Sequence, residues 1–401
     1  MEGASRQQIF RAVMKIRLLA SWIALTAIIL AGFAPLSDAA IVNIKSPPYS
    51  AMGDGVTDDR AAFATALAAL SSGDTLLVPA GVYRLVLTGI LKPKAGTSIL
   101  GEGNATTLSL ENGGLSTFRQ FMALGGSDTL INGITVVRAA DFPLVVFSLV
   151  NNSSGPSGIT VRNTTIVGNR DIYPSYCHGF QYGQSDLNDV LLENLTVTTC
   201  TNGLFRAGSS AGDVAGITVT RSSFFSNYST DLQFNSPNGV TSDVVVQDCH
   251  FRDNRCTSAG SGFAVGFAHV TNGLIADCIM DGYNREPIHV EDRSSGIVIS
   301  GNVLRSPALL GGSAILIISK TSPDSATNGV TITNNLIDAR DNALDPYLVL
   351  VTAGNSTGQP VPLNVSVENN ILINSATTRT WYLQTGSGPA PSGNIIHDPT
   401  P

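Results

Sequence analysis

Residues 158–169 read GITVRNTTIVGN and residues 216–227 read GITVTRSSFFSN, and related phrases recur nine times from residue 133 onward, about 29 residues apart. Apolar and polar residues alternate within each phrase, and an Asn or Gly commonly interrupts the alternation. The period of two predicts short strands, and the interruptions predict tight turns between them. A repeat of this length without helical stretches is typical of a solenoid. The sequence therefore predicts an all-β parallel β-helix in which turn Asn side chains stack from coil to coil.

The segment before the repeats has a different pattern. Residues 53–63 read GDGVTDDRAAF, and the apolar stretch ATALAAL follows at residues 64–70. Asp58 or Asp59 can cap a helix there. We expect this helix to cover the open N-terminal end of the solenoid. Its inward residues are predicted to be Ala62, Phe63, Ala66, Leu67 and Leu70. Residues 40–401 are thus interpreted as one domain, with the cap and first coils at 40–100 and repeated coils at 130–396.

The first 39 residues are typical of a signal peptide. Four basic residues precede an apolar run over residues 18–34, and Ser37-Asp38-Ala39 then supplies a small-residue cleavage site. An uncleaved membrane anchor is the alternative, because such a run is near the minimum length for spanning a bilayer. We expect cleavage, which predicts a secreted, periplasmic or cell-surface protein with no membrane contact after processing. Removing residues 1–39 changes the net charge from −7 to −9.

The charge and cysteine content exclude several classes of protein. An acidic chain with 30 acidic and 23 basic residues is not typical of a nucleic-acid binder. Its five Cys residues form no Cys-x-x-Cys pair, which argues against a zinc or redox site. Buried, stacked cysteines are the favoured interpretation, and a Cys249–Cys256 disulfide is the alternative.

The opening motif resembles a known family. GDGVTDDRAAF at 53–63, followed by LLVPAGVYRL at 76–85, is similar to the opening signature of the pectate-lyase-like β-helix superfamily. That superfamily includes rhamnogalacturonase- and epimerase-like proteins and phage tailspike depolymerases. The resemblance implies a single-stranded right-handed β-helix. It also implies a protein that cleaves or modifies polysaccharides, although some members are adhesins or structural proteins. Asp54, Asp58 and Asp59 are expected to be structural, because the motif marks the fold.

A second series of strands indicates a groove on the outer surface. Stretches such as HGFQYGQS (178–185), TDLQFNSP (230–237) and EPIHVEDRS (286–294) alternate, so every second side chain should face solvent. The inward residues are predicted to be Phe180, Tyr182, Leu232, Phe234, Phe263, Val265, Ile288 and Val290. The outward residues are predicted to be Gln181, Arg206, Gln233, Asn235, Ala264, Gly266, His289 and Glu291. A coil bearing only Ala264 and Gly266 would give a shallow floor on which an extended sugar chain could lie.

Residues 285–293, REPIHVEDR, form the densest ionisable cluster of the chain. Alternation places His289 and Glu291 on one outer face, and Asp231 begins a strand two coils earlier. The predicted catalytic residues are Asp231, Glu286, His289 and Glu291. The predicted substrate-binding residues are Arg206, Gln233, Asn235, Arg285, Asp292 and Arg293. A solvated strand end with local salt bridges is the alternative interpretation.

Two reaction types fit this cluster. A glycoside hydrolase needs two carboxyl groups across the scissile bond, and stacked coils would place Asp231 and Glu291 roughly 10 Å apart. A lyase or epimerase needs a base next to a uronic carboxylate and a cation to neutralise it, roles open to His289 and to Arg285 or Arg293. No cofactor or metal site is predicted, although a lyase could use calcium held by surface Asp residues.

Some local patterns argue against particular sites. Ser229-Thr230-Asp231 is similar to the Asn-Thr-Asp element of polygalacturonases, but the Asp-Asp pair, the Gly-His-Gly coil and the Arg-x-Lys of that family are missing here. Polygalacturonase chemistry in that arrangement is therefore not expected. His178 could form a second site with Asp171 or Asp186, but a structural role is favoured.

Two classes of function follow. The favoured prediction is a polysaccharide hydrolase or lyase, and the alternative is a non-catalytic adhesin, sugar-binding or surface structural protein. The expected partner is a polysaccharide. Residues 313–320 and 347–354 are apolar on both predicted faces, which predicts cover by a loop or by a second copy of the chain in a homo-oligomer.

Overall fold

Three long parallel sheets, which we call A, B and C, wind around one apolar core. They are seen in a computed structural model that describes residues 39–114, 119–149, 155–183, 185–206, 212–235, 238–320, 326–342, 344, 346–354, 358–373 and 380–397. The proposed signal peptide lies outside these residues, except for its last position. Most coils contribute one strand to each sheet, and every pair of neighbouring strands is parallel, as in Ile159↔Val190 and Val190↔Ile217. This is the predicted parallel β-helix.

Sheet A, in spatial order, contains β1 (Ile41–Asn43), β3 (Thr75–Leu77), β5 (Ser98–Leu100), β8 (Leu130–Asn132), β11 (Ser157–Arg162), β14 (Leu187–Glu193), β17 (Val214–Thr220), β20 (Thr241–Gln247), β23 (Val270–Ala276), β26 (Ser295–Ser300), β29 (Asn328–Thr333) and β32 (Leu363–Glu368). Sheet B contains β2 (Asp54–Asp58), β4 (Gly81–Leu87), β6 (Thr106–Asn112), β9 (Thr135–Arg138), β12 (Thr165–Val167), β15 (Thr196–Thr198), β18 (Ser223–Phe225), β21 (His250–Arg252), β24 (Ile279–Asp281), β27 (Val303–Arg305), β30 (Leu336–Asp338), β33 (Ile371–Ile373) and β35 (Ile395–His397). Sheet C contains β7 (Arg119–Ala123), β10 (Leu144–Ser148), β13 (Cys177–Tyr182), β16 (Asn202–Arg206), β19 (Leu232–Asn235), β22 (Val265–Ala268), β25 (Ile288–Glu291), β28 (Ser313–Ser319), β31 (Tyr347–Ala353) and β34 (Trp381–Leu383).

The predicted helix is present as α1 (Arg60–Ala69), and a 3-10 turn follows at Gly103–Ala105. Phe63 is fully buried and meets the ring of Tyr83 edge-on, with ring centres 5.6 Å apart. Asp59 does not cap the helix with its side chain. Its carboxylate accepts hydrogen bonds from the N–H groups of Met52 and Gly53, at 2.7 and 3.0 Å, and so fixes the opening motif. No helix in the described part of the chain is long and apolar enough to cross a membrane.

Asn side chains form hydrogen-bonded ladders at the turns that connect the strands of sheet A to those of sheet B. Asn335 accepts a hydrogen bond from Asn302 and donates one to Asn370, each at 2.9 Å, with all three side chains buried. An exposed ladder runs along the same turns, where Asn163 and Asn194 adopt φ of 51° and 49°. Asn tolerates this left-handed backbone, which explains its recurrence at the turns. All five cysteines are buried and free, so the predicted stacking holds and the Cys249–Cys256 disulfide is wrong.

The outward apolar residues at the end of sheet C are only partly covered. Leu316, in register with His289, is 6% exposed, whereas Ile318 and Leu350 are half-buried. The predicted cover by a loop or by a second copy in a homo-oligomer stays a prediction.

Candidate functional site

The outer face of sheet C carries the predicted row of polar side chains. Gln233, Gly266 and His289 lie in register on three successive coils. Asn235 and Glu291 lie in register two positions further along the same strands, with Ala268 between them. These outward placements agree with the alternation read from the sequence, because each of these residues lies within a regular strand.

A cleft of about 150 Å³ opens on this face. Gly266 forms its floor, where a Cβ atom would come within 3.0 Å of the ring of Phe263. The side chains that line the cleft include Phe205, Gln233, Asn235, Phe263, His289 and Glu291.

Phe263 and Ala264 correct the predicted register. Phe263 was expected inside and Ala264 outside, but Phe263 lines the cleft and Ala264 is fully buried in the core. Strand β22 begins only at Val265, so both residues belong to the preceding turn. Alternation of side chains holds only within a strand, which is why it fails here.

His289 lies beneath Phe263 and is hydrogen-bonded on one side. The two ring centres are 4.2 Å apart at 26°, and His289 is only 3% exposed. Its Nε2 is 3.0 Å from Oε2 of Glu291, whereas its buried Nδ1 has no hydrogen-bond partner among the described residues. A carboxylate only accepts hydrogen bonds, so the contact with Glu291 requires a proton on Nε2 of His289.

Lys320 completes this cluster. Its ammonium group forms an ion pair with Glu291 and lies 3.3 Å from Nε2 of His289. Burial acts to raise the pKa of Glu291, but the hydrogen bond from His289 and the charges of His289 and Lys320 outweigh it and lower the pKa to about 2. Glu291 is therefore an ionised carboxylate and not a proton donor at ordinary pH. The sequence reading missed Lys320, which follows the end of β28.

Asp231 is placed differently from its prediction. It was expected at the groove, but it is fully buried beneath it. It accepts hydrogen bonds from the amides of Asn227 and Asn254, at 2.6 and 3.2 Å, and from the hydroxyl of Tyr283. Burial raises its pKa to about 6, although the three hydrogen bonds act in the opposite direction. Asp231 precedes β19, where strand alternation gives no guidance.

Arg206 also lies inside, and Phe205 takes its expected place in the cleft. Arg206 is in register with Tyr182 and is 4% exposed, with its guanidinium 5.9 Å from the centre of the Tyr182 ring. Burial lowers its pKa. The outward orientation predicted for Arg206 is therefore wrong by one residue, and the neighbouring Phe205 points outward in register with Gln181.

The remaining predicted residues flank the cleft without lining it. Arg285 donates to the carbonyl groups of Leu310 and Thr257, at 3.2 and 2.9 Å. Glu286 packs close to Gly312, where a Cβ atom would be 3.1 Å from its carboxyl carbon. Asp292 is 5% exposed and accepts a hydrogen bond from the backbone N–H of Lys320, at 2.6 Å. Arg293 is exposed at the turn after β25.

His178 lies four coils from His289 on the same face. Its ring stacks on Phe205 with ring centres 4.5 Å apart at 10°. Burial lowers the pKa of His178 to about 4, and the charge of Arg170 adds to the effect. His178 is therefore a neutral aromatic side chain, consistent with the structural role favoured from sequence. No group of three or more His, Cys, Asp or Glu that could hold a metal occurs in the described ranges. Calcium binding stays a prediction.

Two side chains that line the cleft have hydrogen-bond acceptors without a donor. The side-chain oxygens of Gln233 and Asn235 are buried and lack a partner among the described residues, as does Nδ1 of His289. The side-chain oxygen of Gln181, two coils away on the same sheet, is in the same state. Buried polar atoms without a partner are rare and point to a missing ligand or solvent contact. The surface they form can accept hydrogen bonds from hydroxyl groups, between the rings of Phe205 and Phe263.

Residues 41–223 match the family model described as "Rhamnogalacturonase A/epimerase, pectate lyase-like". This match confirms the resemblance read from the opening motif. No curated protein matches the chain in sequence.

Solved structures with the same fold include the A-module of a mannuronan C-5 epimerase from Azotobacter vinelandii. It is 15% identical, with 90% of this chain and 100% of that chain covered and a TM-score of 0.50. A surface adhesin of Streptococcus pneumoniae is 13% identical, with 89% and 92% covered and a TM-score of 0.50. The tailspike of E. coli bacteriophage HK620, solved with a pentasaccharide, is 14% identical and has a TM-score of 0.47. The alignment covers 89% of this chain and 66% of the tailspike chain. The similarity to the epimerase module and to the adhesin, each at a TM-score of 0.50, shows the fold alone.

Proposed function

We propose that this chain, a β-helix protein of the pectate-lyase-like superfamily, binds a polysaccharide in the cleft on sheet C and modifies it outside the cytoplasm. The observation that carries this proposal is the pair of unpartnered acceptors on Gln233 and Asn235, both of which line the cleft. Sugar hydroxyls supply the missing donors, and the faces of Phe205 and Phe263 offer apolar contact to the carbon side of a sugar ring. The proposed export rests on residues 1–39.

The carboxyl groups of the cleft argue against hydrolysis. Hydrolysis of a glycoside needs one carboxyl group that donates a proton and a second that acts as base or nucleophile. Glu291 is the carboxylate that lines the cleft among the described residues, and its low pKa keeps it ionised. Asp231, whose raised pKa would suit a proton donor, is held by three hydrogen bonds inside the fold.

We therefore favour proton transfer at a sugar ring carbon next to a uronate carboxylate. Nδ1 of His289 accepts the proton, Glu291 holds the ring in its Nε2–H form, and Lys320 neutralises the substrate carboxylate. In an elimination, the electrons of the broken C–H bond form a C=C bond while the glycosidic C–O bond breaks, and the leaving oxygen takes a proton from water. In an epimerisation, a proton returns to the opposite face of the same carbon. Phe263 must turn aside in either case, because it covers His289.

That cover also favours the second candidate, a non-catalytic sugar-binding or adhesin function. His289 is 3% exposed, and the charges of Glu291 and Lys320 already neutralise each other. A protein that only binds sugar needs the unpartnered acceptors but not an accessible base.

The two candidates are separated by incubating the full chain with neutral and uronic polysaccharides. New reducing ends with the ultraviolet absorbance of an unsaturated uronate indicate elimination, and solvent hydrogen at the ring carbon without cleavage indicates epimerisation. We expect His289→Gln to abolish either signal while polysaccharide binding remains. His250→Gln, on the exposed face of sheet B, is the matched control. Reducing ends without that absorbance would contradict the proton-transfer mechanism, and binding without turnover would support the second candidate.

A further inference from the structure

Two arginines and two tyrosines form a shelf beside the cleft, on the loops that connect sheet B to sheet C. We call Arg170, Tyr176, Tyr228 and Arg255 the arginine–tyrosine shelf. The guanidinium of Arg170 lies 5.1 Å from the centre of the Tyr228 ring and 5.8 Å from that of Tyr176. Arg255 lies 5.5 Å from the Tyr228 ring centre and donates to its hydroxyl at 2.9 Å. Two cations therefore share one aromatic ring.

The charges of this shelf are not balanced by carboxylates. Neither Arg170 nor Arg255 forms an ion pair within 4.0 Å in the described part of the chain, in contrast to Arg84, which pairs with Glu111. The Nε of Arg170 is buried and has no hydrogen-bond partner there. Two guanidinium groups on one ring repel each other, so an anion placed between them lowers the free energy of both. A local excess of positive charge also stands out in a chain of net charge −7.

An uncharged aromatic track joins the shelf to the cleft. The rings of Tyr176 and His178 stack with centres 6.2 Å apart at 15°, and His178 stacks in turn on Phe205, which lines the cleft. Tyr176 is 61% exposed at the outer end of this track. A ligand that extends from the cleft along these rings therefore reaches the two arginines.

We propose that the shelf binds a carboxylate of a uronic polysaccharide whose neighbouring sugar units occupy the cleft. Guanidinium groups form paired hydrogen bonds with a carboxylate, which gives geometric specificity as well as affinity. The exposed part of Tyr176 contacts a sugar unit between the anion and the cleft. This assignment rests on the proposed binding of a uronic polysaccharide and adds a second point of attachment outside the cleft.

The test compares binding of the full chain to polygalacturonate and to its carboxyl-reduced, neutral form by isothermal titration calorimetry. The shelf variant is Arg170→Gln with Arg255→Gln. The control is Arg162→Gln with Arg305→Gln, which removes the same charge from exposed positions on sheets A and B. We expect the shelf variant to bind polygalacturonate about tenfold more weakly or worse, with a smaller salt dependence. The control and the neutral polymer should change little, and equal thermal midpoints would show that both variants fold.

Different results would contradict the shelf proposal and the cleft proposal. Equal affinity of the native chain for the charged and neutral polymers, with both weakened by Gln233→Ala, would overturn the shelf and leave the cleft proposal standing. An equal loss in the control variant would also overturn the shelf, because it would indicate general charge attraction. Binding of neither polymer would contradict both proposals. Tighter, shelf-dependent binding of dextran sulfate would overturn the assignment of a carboxylate in favour of a sulfate ester.

Discussion

Replacing Asp231 with Asn should remove a dependence of folding stability on pH. Its direction is opposite to that of most acidic groups, because stability falls as the pH rises. Asp231 is fully buried, and burial raises its pKa from 3.8 to about 6. A carboxyl group with a raised pKa stabilises the folded state fully below its unfolded pKa, and this contribution is lost as pH rises through the folded pKa. The native chain should therefore lose stability between about pH 4 and pH 7 because the buried group must ionise.

The pKa shift sets the size of the effect. A change from 3.8 to about 6 corresponds to about 3 kcal/mol in total. About 2 kcal/mol of this falls between roughly pH 4.5 and pH 7. Glu291 adds little over that range, because its lowered pKa makes its own contribution vary only below the unfolded value of 4.5.

The measurement is the free energy of unfolding in urea, followed by circular dichroism at several pH values. The Asp231→Asn variant should lack the loss of about 2 kcal/mol seen in the native chain. Asp253→Asn is the control, because Asp253 is exposed and Asn tolerates its left-handed backbone, with φ of 53°. The reasoning fails if Asp231→Asn keeps the native slope, or if Asp253→Asn removes it equally.

Three further substitutions test the ladder, the cap and the charged cluster. Asn335→Ala leaves buried hydrogen-bond partners unsatisfied and should lower the free energy of unfolding in urea by about 2–4 kcal/mol. Asn132→Ala on the exposed ladder should lower it by less than about 1 kcal/mol. Equal losses would show that burial is not the cause. Phe63→Ala should lower the free energy of unfolding by about 3–5 kcal/mol, because it removes the ring contact between α1 and Tyr83 and leaves a cavity. The measurement is the thermal midpoint, which should fall. An unchanged midpoint would mean that α1 does not stabilise the end of the solenoid. Glu291→Gln should abolish the loss of stability that the native chain shows as pH falls from about 4.5 to 2. A carboxyl group with a lowered pKa stabilises the folded state only above that pH window. An unchanged dependence of urea unfolding on acid pH would contradict the ion pair with Lys320.

The repeat was predictable because its signal is local. Alternation within residues 158–167 is enough to assign β11 and β12, and the left-handed Asn163 marks the turn between them. Residues 98–123 form β5, β6 and β7 without the recurring phrase, although residues 106–112 alternate. Without the phrase, the assignment of these strands to particular coils depends on their pairing with neighbouring strands.

The candidate site was predictable within strands and not outside them. Gln233, His289 and Glu291 face the cleft as alternation requires. Asp231 lies just before its strand, where no period applies, and it turns inward. The prediction for Arg206 failed for another reason. The sequence LFRA at 204–207 is compatible with either an inward or an outward Arg206, and the sequence alone does not decide between them.

The β-helix, the helix α1 and the polar row on sheet C could be predicted from the sequence, because each depends on residues close together along the chain. Which side chains meet across coils depends on the folded arrangement. Lys320 reaches His289 over 31 residues, and Tyr283 reaches Asp231 over 52 residues. The loops between strands vary in length and carry no period, so these contacts depend on how each loop folds. Residues that are distant in sequence become neighbours only when the sheets fix the coils in register.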